Sequence, residues 1–194
     1  GDLKITSMRS PYTQYKVLIV VDGEGEIERP EGLERSAVGY TWLLKQQGWE
    51  VGGIVMKMSP AHEQTVADAQ AAAEQLGIPL LVRDLEEDFS REVISYFMEE
   101  YARGRTPNPC IVCNPKIKFR ALMEAVEEGG YELAATGHYA GLQKKDGLTL
   151  LTRGENPERD QSYMLYRLGQ KELSRLFFPL AALPKDQVRE LARQ

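Results

Sequence analysis

The sequence predicts an α/β protein whose doubly wound parallel sheet is flanked by helices. Three observations lead to this fold class. Short apolar runs rich in β-branched residues are typical of buried strands, and they occur at Lys16–Val21, Val51–Met56 and Ile78–Val82. Longer stretches with helical periodicity alternate with these runs. Such alternation favours βαβ units, in which successive strands are parallel and helices cover both faces of the sheet.

The helices of the first half are indicated by local patterns. Leu33–Gln47 has a helical pattern and is followed by Gly48. Ser59 and Pro60 are typical of an N-cap and a first helical turn, in a helix that ends at Gly77. Apolar residues that recur every four positions predict the inner face of the next helix, which ends at Gly104. They are Phe89, Val93, Phe97 and Tyr101.

The second half continues the alternation and then changes character. Ile117–Glu128 predicts a helix, and Leu133–Thr136 predicts a fourth strand. Gly141–Leu151 predicts a β-hairpin, because the Asp-Gly pair at 146–147 favours a tight turn. From Asp160 onward the pattern is helical. We therefore expect a leader at 1–15, an α/β domain at 16–159, and a helical segment at 160–194 that begins a second, truncated region.

Composition limits the class of protein. The 194 residues include 24 Lys and Arg, 29 Asp and Glu, and two cysteines, with a formal charge of −5. No apolar run approaches the roughly 20 residues that a membrane-spanning helix needs. Two cysteines are too few for a secreted disulfide scaffold. These features favour a cytoplasmic globular protein.

The segment Arg105–Asn114 (RTPNPCIVCN) offers the clearest candidate chemistry. We expect its prolines to hold an extended loop, with Cys113 at the N-terminus of the following helix, where a thiolate is favoured. Residues 101–120 contain five cations and no acid. Two alternatives stay open: the cysteines are inert and half-buried, or they are two ligands of an iron–sulfur cluster. A closed zinc site is not expected, because the two histidines lack ligand spacing.

Two further segments place polar residues near predicted strand ends. His138, in Ala135–Tyr139 (ATGHY), follows the fourth strand and is either a structural histidine or a ligand contact. Asp160 either caps the next helix or reaches a ligand, and Gln161 could contact a base.

Together, three segments resemble the tRNA-specific 2-thiouridylase family: Thr106–Phe119, Ala135–Tyr139 and Asp160–Tyr166, in the same order. The resemblance extends over about residues 16–194. It implies an adenine nucleotide α-hydrolase-like fold and 2-thiolation of the wobble uridine. It also implies ATP and Mg²⁺ as cofactors, and tRNA and a persulfide sulfur donor protein as partners, with no membrane and no DNA.

The resemblance also implies roles for individual residues. Cys113 matches the family's first catalytic cysteine, and Cys110 stands at a position that is Asp in many members and Cys in others. The implied cofactor-binding residues are Ser36, Met56, Gly137 and His138. The implied RNA-binding residues are Lys116, Lys118, Arg120, Asp160, Gln161 and Ser162. We expect Cys113 to be a more reactive thiol than Cys110, because it is assigned to the helix N-terminus beside Lys116.

The chain departs from the family after its first strand. The family has Ser-Gly-Gly-Val-Asp-Ser-Ser there, whereas residues 22–34 contain six acids and one arginine. An acidic segment repels phosphate, so we expect weak binding of Mg-ATP. The family's second catalytic cysteine and further domains are expected beyond residue 194. The sequence therefore leaves open a degenerate homologue that acts as a binding or scaffold subunit, or an iron–sulfur protein related to thiolation.

Overall fold

The structure is a computed structural model that describes residues 16–20, 41, 44–45, 48–155 and 157–181. Expectations for the leader 1–15, the acidic segment 22–34, Ser36 and the last residues, 182–194, lie outside the described residues. Thr41, Leu44 and Lys45 are helical, in agreement with the predicted helix over Leu33–Gln47.

Within the described residues, seven strands form a five-stranded parallel sheet and a separate antiparallel hairpin. The strands are β1 (Lys16–Val20), β2 (Glu50–Lys57), β3 (Leu80–Asp84), β4 (Leu133–Ala135), β5 (Ala140–Lys145), β6 (Leu148–Arg153) and β7 (Leu176–Phe177). The sheet has the order β3-β2-β1-β4-β7, and all its pairs are parallel. The predicted parallel sheet is therefore confirmed.

Helices lie in the connections from β2 to β3, from β3 to β4 and from β6 to β7. Helix α1 spans Glu63–Leu76, preceded by a 3-10 turn at Pro60–His62, and its C-cap Gly77 has a left-handed φ of 60°. Helix α2 consists of Glu86–Phe89, a π-helical turn at Ser90–Ile94, and Ser95–Ala102. Helix α3 consists of Pro109–Cys113, a π-helical turn at Asn114–Lys118, and Phe119–Glu128. The short α4 spans Gln170–Leu173.

Alternating residues of β2 show that helices cover both faces of the sheet. Val55 packs with Ala69 of α1 on one face. Ile54 and Met56 pack with α3 on the other, in the largest core cluster, which includes Phe119. Successive side chains of a strand point to opposite faces, so this division makes the sheet doubly wound.

The hairpin β5–β6 has the predicted turn. Asp146 and Gly147 both have positive φ, 49° and 77°, as a two-residue type I′ turn requires. Gln170 fastens α4 to the hairpin: its side-chain oxygen accepts from Thr149 N at 2.9 Å, and its amide donates to Thr149 O at 2.8 Å.

The prediction of a helical pattern from Asp160 onward is wrong in part: over the described part of that segment, helical structure is limited to the 3-10 turn Ser162–Met164 and α4. Residues 176–177 form β7, which pairs with β4 and extends the central sheet. Leu165, Leu173 and Phe178 are buried in the same core cluster as α3. Their burial beside β4 outweighs the local helical periodicity, which is a weak signal in short segments. At least through residue 181, this part of the chain is packed into the α/β domain.

The predicted inner face of α2 is confirmed in its first half and wrong in its second. Val93 is 2% exposed, but Phe97 and Tyr101 are 37% and 57% exposed. Their rings contact each other, with centroids 4.8 Å apart. Periodicity identified the apolar face correctly, but the core extends only about as far as Val93.

Within the described residues, no helix is long and apolar enough to cross a membrane.

Candidate functional site

The strand order of the sheet reverses between β1 and β4. The chain builds β1, β2 and β3 in one direction and then returns to add β4 on the other side of β1. In open α/β sheets, ligands bind at such a reversal point. Thr136, Gly137 and His138 follow β4 there. Gly137 is exposed, and a Cβ at this position would meet its nearest neighbour, Leu180 Cδ1, at an ordinary 3.7 Å.

His138 is held by its neighbours at this edge. Its Nδ1 lies 2.9 Å from Thr136 Oγ1. Its ring lies between two aromatic rings, with centroids 5.8 Å from Phe119 and 6.2 Å from Phe178. These contacts orient the ring and join β4 to α3, so a structural role accounts for the observed geometry.

The two cysteines lie in the first turns of α3, which begins at Pro109. Asn108 is the N-cap, and its Oδ1 accepts a hydrogen bond from Cys110 N at 3.1 Å. Cys110 is exposed, whereas Cys113 is 6% exposed. The expectation that Cys113 occupies the helix N-terminus is therefore wrong. Because Pro109 is favoured in the first helical turn, the helix starts earlier than the apolar pattern indicates.

A proline inside α3 explains the π-helical turn after the cysteines. Pro115 has no N–H to donate and crowds the preceding turn, which favours a local π bulge over a regular α-helix. The bulge leaves Asn114 buried, and its Nδ2 donates to Met164 O at 3.2 Å. Asn114 thus connects the cysteine helix to the segment after Asp160.

The Asp160 carboxylate organises its own loop. Its Oδ1 accepts from Gly154 N at 3.0 Å and from Ser162 N at 3.3 Å, and its Oδ2 accepts from Ser162 Oγ at 2.7 Å. Burial acts to raise the pKa of Asp160, but the hydrogen bonds from Ser162 and Gly154 outweigh it and hold the pKa below its usual value. The Ser162 N–H lies at the start of the 3-10 turn Ser162–Met164, whose N-cap is Gln161, so Asp160 binds this turn from the residue before the cap.

Gln161 joins the same loop to the residue after His138. Gln161 N donates to Tyr139 O at 2.9 Å, and Gln161 Oε1 accepts from Tyr139 N at 2.9 Å. With the Asn114–Met164 and Phe119–His138 contacts, this pairing brings all three sequence segments together. Cys113, Gly137, His138, Asp160, Gln161 and Ser162 therefore belong to one connected region at the carboxyl edge of the sheet.

The cations of residues 101–120 are largely engaged by acids of α2. Lys116 Nζ lies 2.9 Å from Glu92 Oε2, and Arg120 binds Asp88. The hydrogen bond from Lys116 lowers the pKa of Glu92. The pKa of Asp88 is lowered by hydrogen bonds from Arg91 and Arg120.

Two arginines of the same stretch are engaged in the same way. Arg103 and Arg105 each lie 3.1 Å from the Glu100 carboxylate. The excess positive charge counted along the sequence is thus reduced by the neighbouring helix in the fold.

Strand β2 ends with Met56 and Lys57. Met56, an implied cofactor residue, is 4% exposed, and its side chain is part of the core. Lys57, which sequence reasoning did not single out, lies 2.8 Å from Glu86 Oε1 and within 4 Å of Asp84 and Glu63. The hydrogen bond with Glu86 raises the pKa of Lys57, against the lowering effect of burial. The sequence signal that could have identified Lys57 is a lysine at the end of an apolar strand.

Among the described residues, no three His, Cys, Asp or Glu side chains are grouped so that they could hold a metal ion. An iron–sulfur cluster at Cys110 and Cys113 would therefore need ligands from outside the described ranges.

Residues 32–194 match the protein family described as "tRNA methyl transferase HUP domain". The match begins inside the acidic segment 22–34 and includes all three sequence segments. Among the curated relatives, the tRNA-specific 2-thiouridylase MnmA of Geobacter metallireducens is 45% identical in an alignment that covers 77% of this chain and 45% of that protein. The MnmA of Clostridium perfringens strain 13 is 36% identical, covering 94% of this chain and 51% of that protein. The chain spans about half the length of these relatives.

Solved structures of similar fold include a tRNA thiolase. The U34-tRNA thiolase NcsA from Methanococcus maripaludis, solved with its [4Fe-4S] cluster, aligns with a TM-score of 0.55 at 17% identity, over 93% of this chain and 57% of that one. A predicted tRNA methyltransferase subunit from Methanocaldococcus jannaschii aligns with a TM-score of 0.53 at 15% identity, over 92% and 74%. At these identities the likeness concerns the fold.

Proposed function

Because this chain belongs to the tRNA methyl transferase HUP domain family, we propose that it provides the sulfur-handling α/β domain of a tRNA 2-thiolation enzyme. One observation carries the proposal. The cysteine helix, the residues after β4 and the Asp160 loop are joined by the Asn114–Met164, Phe119–His138 and Gln161–Tyr139 contacts at the ligand-binding edge of the sheet. A nucleotide, a uridine base and a thiol can meet at such an edge.

Each segment has a chemical task in this proposal. Cys113 carries the sulfur: its thiolate attacks the outer sulfur of a donor persulfide, the donor S–S bond breaks, and the donor leaves as a thiolate. Gly137 leaves room beside the reversal point for a ligand to approach the backbone. Asp160 and Ser162 hold the loop rigid, so that Gln161 and Tyr163 keep fixed positions beside it.

ATP is the cofactor that the family implies. When bound, it would supply an adenylate leaving group at C2 of the uridine. The described residues available to hold it are Thr136, Gly137 and His138 at the reversal point. Ser36 and the acidic segment 22–34 lie outside the described residues, so the expected weak affinity for Mg-ATP stays a prediction. Mg²⁺, the persulfide donor protein and cytoplasmic localisation belong to the same proposal.

Lys116, Lys118 and Arg120 are proposed as RNA contacts of limited strength. Two of them are ion-paired with α2, and such exposed pairs exchange readily with phosphate. The scaffold and iron–sulfur alternatives gain no specific support from the described residues, where at most two cysteine ligands lie together.

A sulfur-loading experiment tests the proposal. The reduced chain is mixed with a low-molecular-weight persulfide, and the peptides are mapped by mass spectrometry. We expect one added sulfur, about 32 Da, at Cys113, and loss of that label in Cys113→Ala. The loaded chain is then given Mg-ATP and a tRNA transcript with a wobble uridine, and 2-thiouridine is detected by retarded migration in an organomercurial gel. A chain that takes up no sulfur at Cys113 and yields no 2-thiouridine would overturn the proposal.

A further inference from the structure

The two cysteines of α3 stand at a spacing that suits a disulfide. They are three residues apart in the first turns of a helix that begins at Pro109. Helical geometry sets their Cα atoms about 5 Å apart, inside the range of roughly 4.4–6.8 Å found in disulfides. The chain contains two cysteines in total, so an intramolecular disulfide can only join this pair.

The two thiols differ in access to solvent. Cys110 is exposed, whereas Cys113 is 6% exposed and packs in the core cluster with Ile117 and Phe119. An exposed first cysteine and a buried second cysteine at a helix start suit stepwise disulfide exchange, since the exposed thiol meets glutathione disulfide first and the second thiol then attacks its neighbour.

Cys110 lies in the first turn of α3, where the Asn108 side chain caps its backbone N–H and its side chain is exposed. A Cys-x-x-Cys pair beside βαβ units is, in general, also the arrangement of dithiol redox centres.

We propose that Cys110 and Cys113 form a reversible dithiol–disulfide centre, in which Cys110 is the entry thiol and Cys113 the resolving thiol. With glutathione disulfide as oxidant, the Cys110 thiolate attacks one sulfur and releases one glutathione thiolate. Cys113 then gives up its proton and attacks Cys110 Sγ, and the second glutathione leaves. Two electrons pass from the protein dithiol to glutathione disulfide, and the two thiol protons end on the two released glutathione molecules.

The centre has a consequence for the proposed function but does not depend on it. In the oxidised state Cys113 has no free thiol, so the chain cannot accept sulfur until a dithiol reductant restores it. The redox behaviour of the pair is measured without tRNA or ATP. Its failure would leave the sulfur-transfer proposal standing, and a chain inactive in sulfur transfer could still form the disulfide.

A glutathione titration of the full chain tests the centre. Protein is equilibrated at increasing ratios of glutathione disulfide to glutathione, quenched with acid, alkylated under denaturing conditions and analysed by mass spectrometry. We expect both cysteines to become unreactive toward the alkylating reagent together. The oxidised chain should be about 2 Da lighter than the reduced chain before alkylation, and dithiothreitol should reverse the change. Free thiols at every ratio, a persistent glutathione adduct in the wild type, or disulfide-linked dimers instead would each overturn the proposal.

Single variants distinguish the two roles. In Cys113→Ala the glutathione adduct should accumulate on Cys110, because no resolving thiol remains. In Cys110→Ser, Cys113 should react with glutathione disulfide at least about tenfold more slowly than Cys110 does in Cys113→Ala. Cys113→Ser serves as a second variant at the buried position, and circular dichroism identifies any variant that fails to fold. Equal rates at the two cysteines would contradict the assigned roles.

Discussion

Asp160 is a carboxylate whose three hydrogen bonds stay within its own loop. Gly154 N, Ser162 N and Ser162 Oγ all donate to it, at 2.7–3.3 Å. Its pKa is lowered, because these bonds favour the charged form more than burial disfavours it. A group whose pKa is lower in the folded state than in the unfolded state stabilises the fold at pH values above its unfolded-state pKa. Asp160 should therefore matter for stability at neutral pH.

We predict that Asp160→Asn lowers the free energy of unfolding at pH 7 by about 1 kcal/mol, since a charged acceptor is lost. The difference from wild type should shrink as the pH falls below about 4, through the folded pKa, because wild-type Asp160 then becomes neutral. Urea unfolding at several pH values measures this. Asp146→Asn, in the exposed hairpin turn, is the matched control and should change little. A difference that stays constant down to pH 2 would contradict the argument.

At the scale of elements, the start of α3 depends on one cap. Asn108 has an extended backbone, with φ −105° and ψ 99°, and its side chain accepts from Cys110 N. The first N–H groups of a helix have no partner within the helix, so such a cap stabilises the first turn. This turn contains the exposed cysteine.

We predict that Asn108→Ala destabilises the chain by about 1 kcal/mol, whereas Asn108→Asp keeps near wild-type stability because it retains the acceptor. Urea unfolding followed by circular dichroism compares the three proteins. If Asn108→Asp lost as much as Asn108→Ala, the cap would not explain the effect.

A second element-scale contact fixes α3 against β2. The Tyr131 ring, just after α3, lies between Gly52 of β2 and Gly129. A Cβ at Gly52 would lie 2.6 Å from Tyr131 Cζ, and a Cβ at Gly129 would lie 2.6 Å from Tyr131 Cδ2. Neither position has room for a side chain while the ring is in place.

We predict that Gly52→Ala lowers the free energy of unfolding by about 1–3 kcal/mol, because the methyl group overlaps the ring. In a Tyr131→Ala background the same substitution should cost clearly less, which urea unfolding of the four proteins measures as a coupling energy. Gly137→Ala, where the new Cβ has ordinary contacts, is the control. Equal costs of Gly52→Ala in both backgrounds would show that another contact is responsible.

At the scale of the molecule, ion pairing between helices redistributes the charge of the proposed RNA surface. Asp88 and Glu92 of α2 hold Arg120 and Lys116 of α3, which shows that the two helices run antiparallel. Phosphate must compete with these carboxylates, in a chain of net charge −5. Binding of tRNA to this chain should therefore be weak and sensitive to salt.

We predict that the double variant Asp88→Asn, Glu92→Gln binds tRNA several-fold more tightly than wild type. The slope of log affinity against log salt concentration should become steeper by roughly 0.7–0.9 for each cation that loses its carboxylate partner and contacts an RNA phosphate instead. Filter binding at several salt concentrations measures both quantities. The matched control is Glu87→Gln, which removes a charge from the same helix at a residue without an ion pair to any described residue. A double variant that binds no better than this control would contradict the prediction.

The sequence by itself determined the fold class, the parallel strands β1 to β4 and the hairpin turn. These features depend on local patterns: β-branched runs that alternate with helical stretches, and Asp-Gly at a turn. Tertiary structure decided the rest. Only packing against β4 makes residues 176–177 a strand, and only the early start of α3 leaves Cys110 exposed and Cys113 buried. The pairing of Lys116 with Glu92 joins residues 24 positions apart. Long-range contacts of this kind leave no local periodicity in a single sequence, which is why the charge count along residues 101–120 does not reveal these ion pairs.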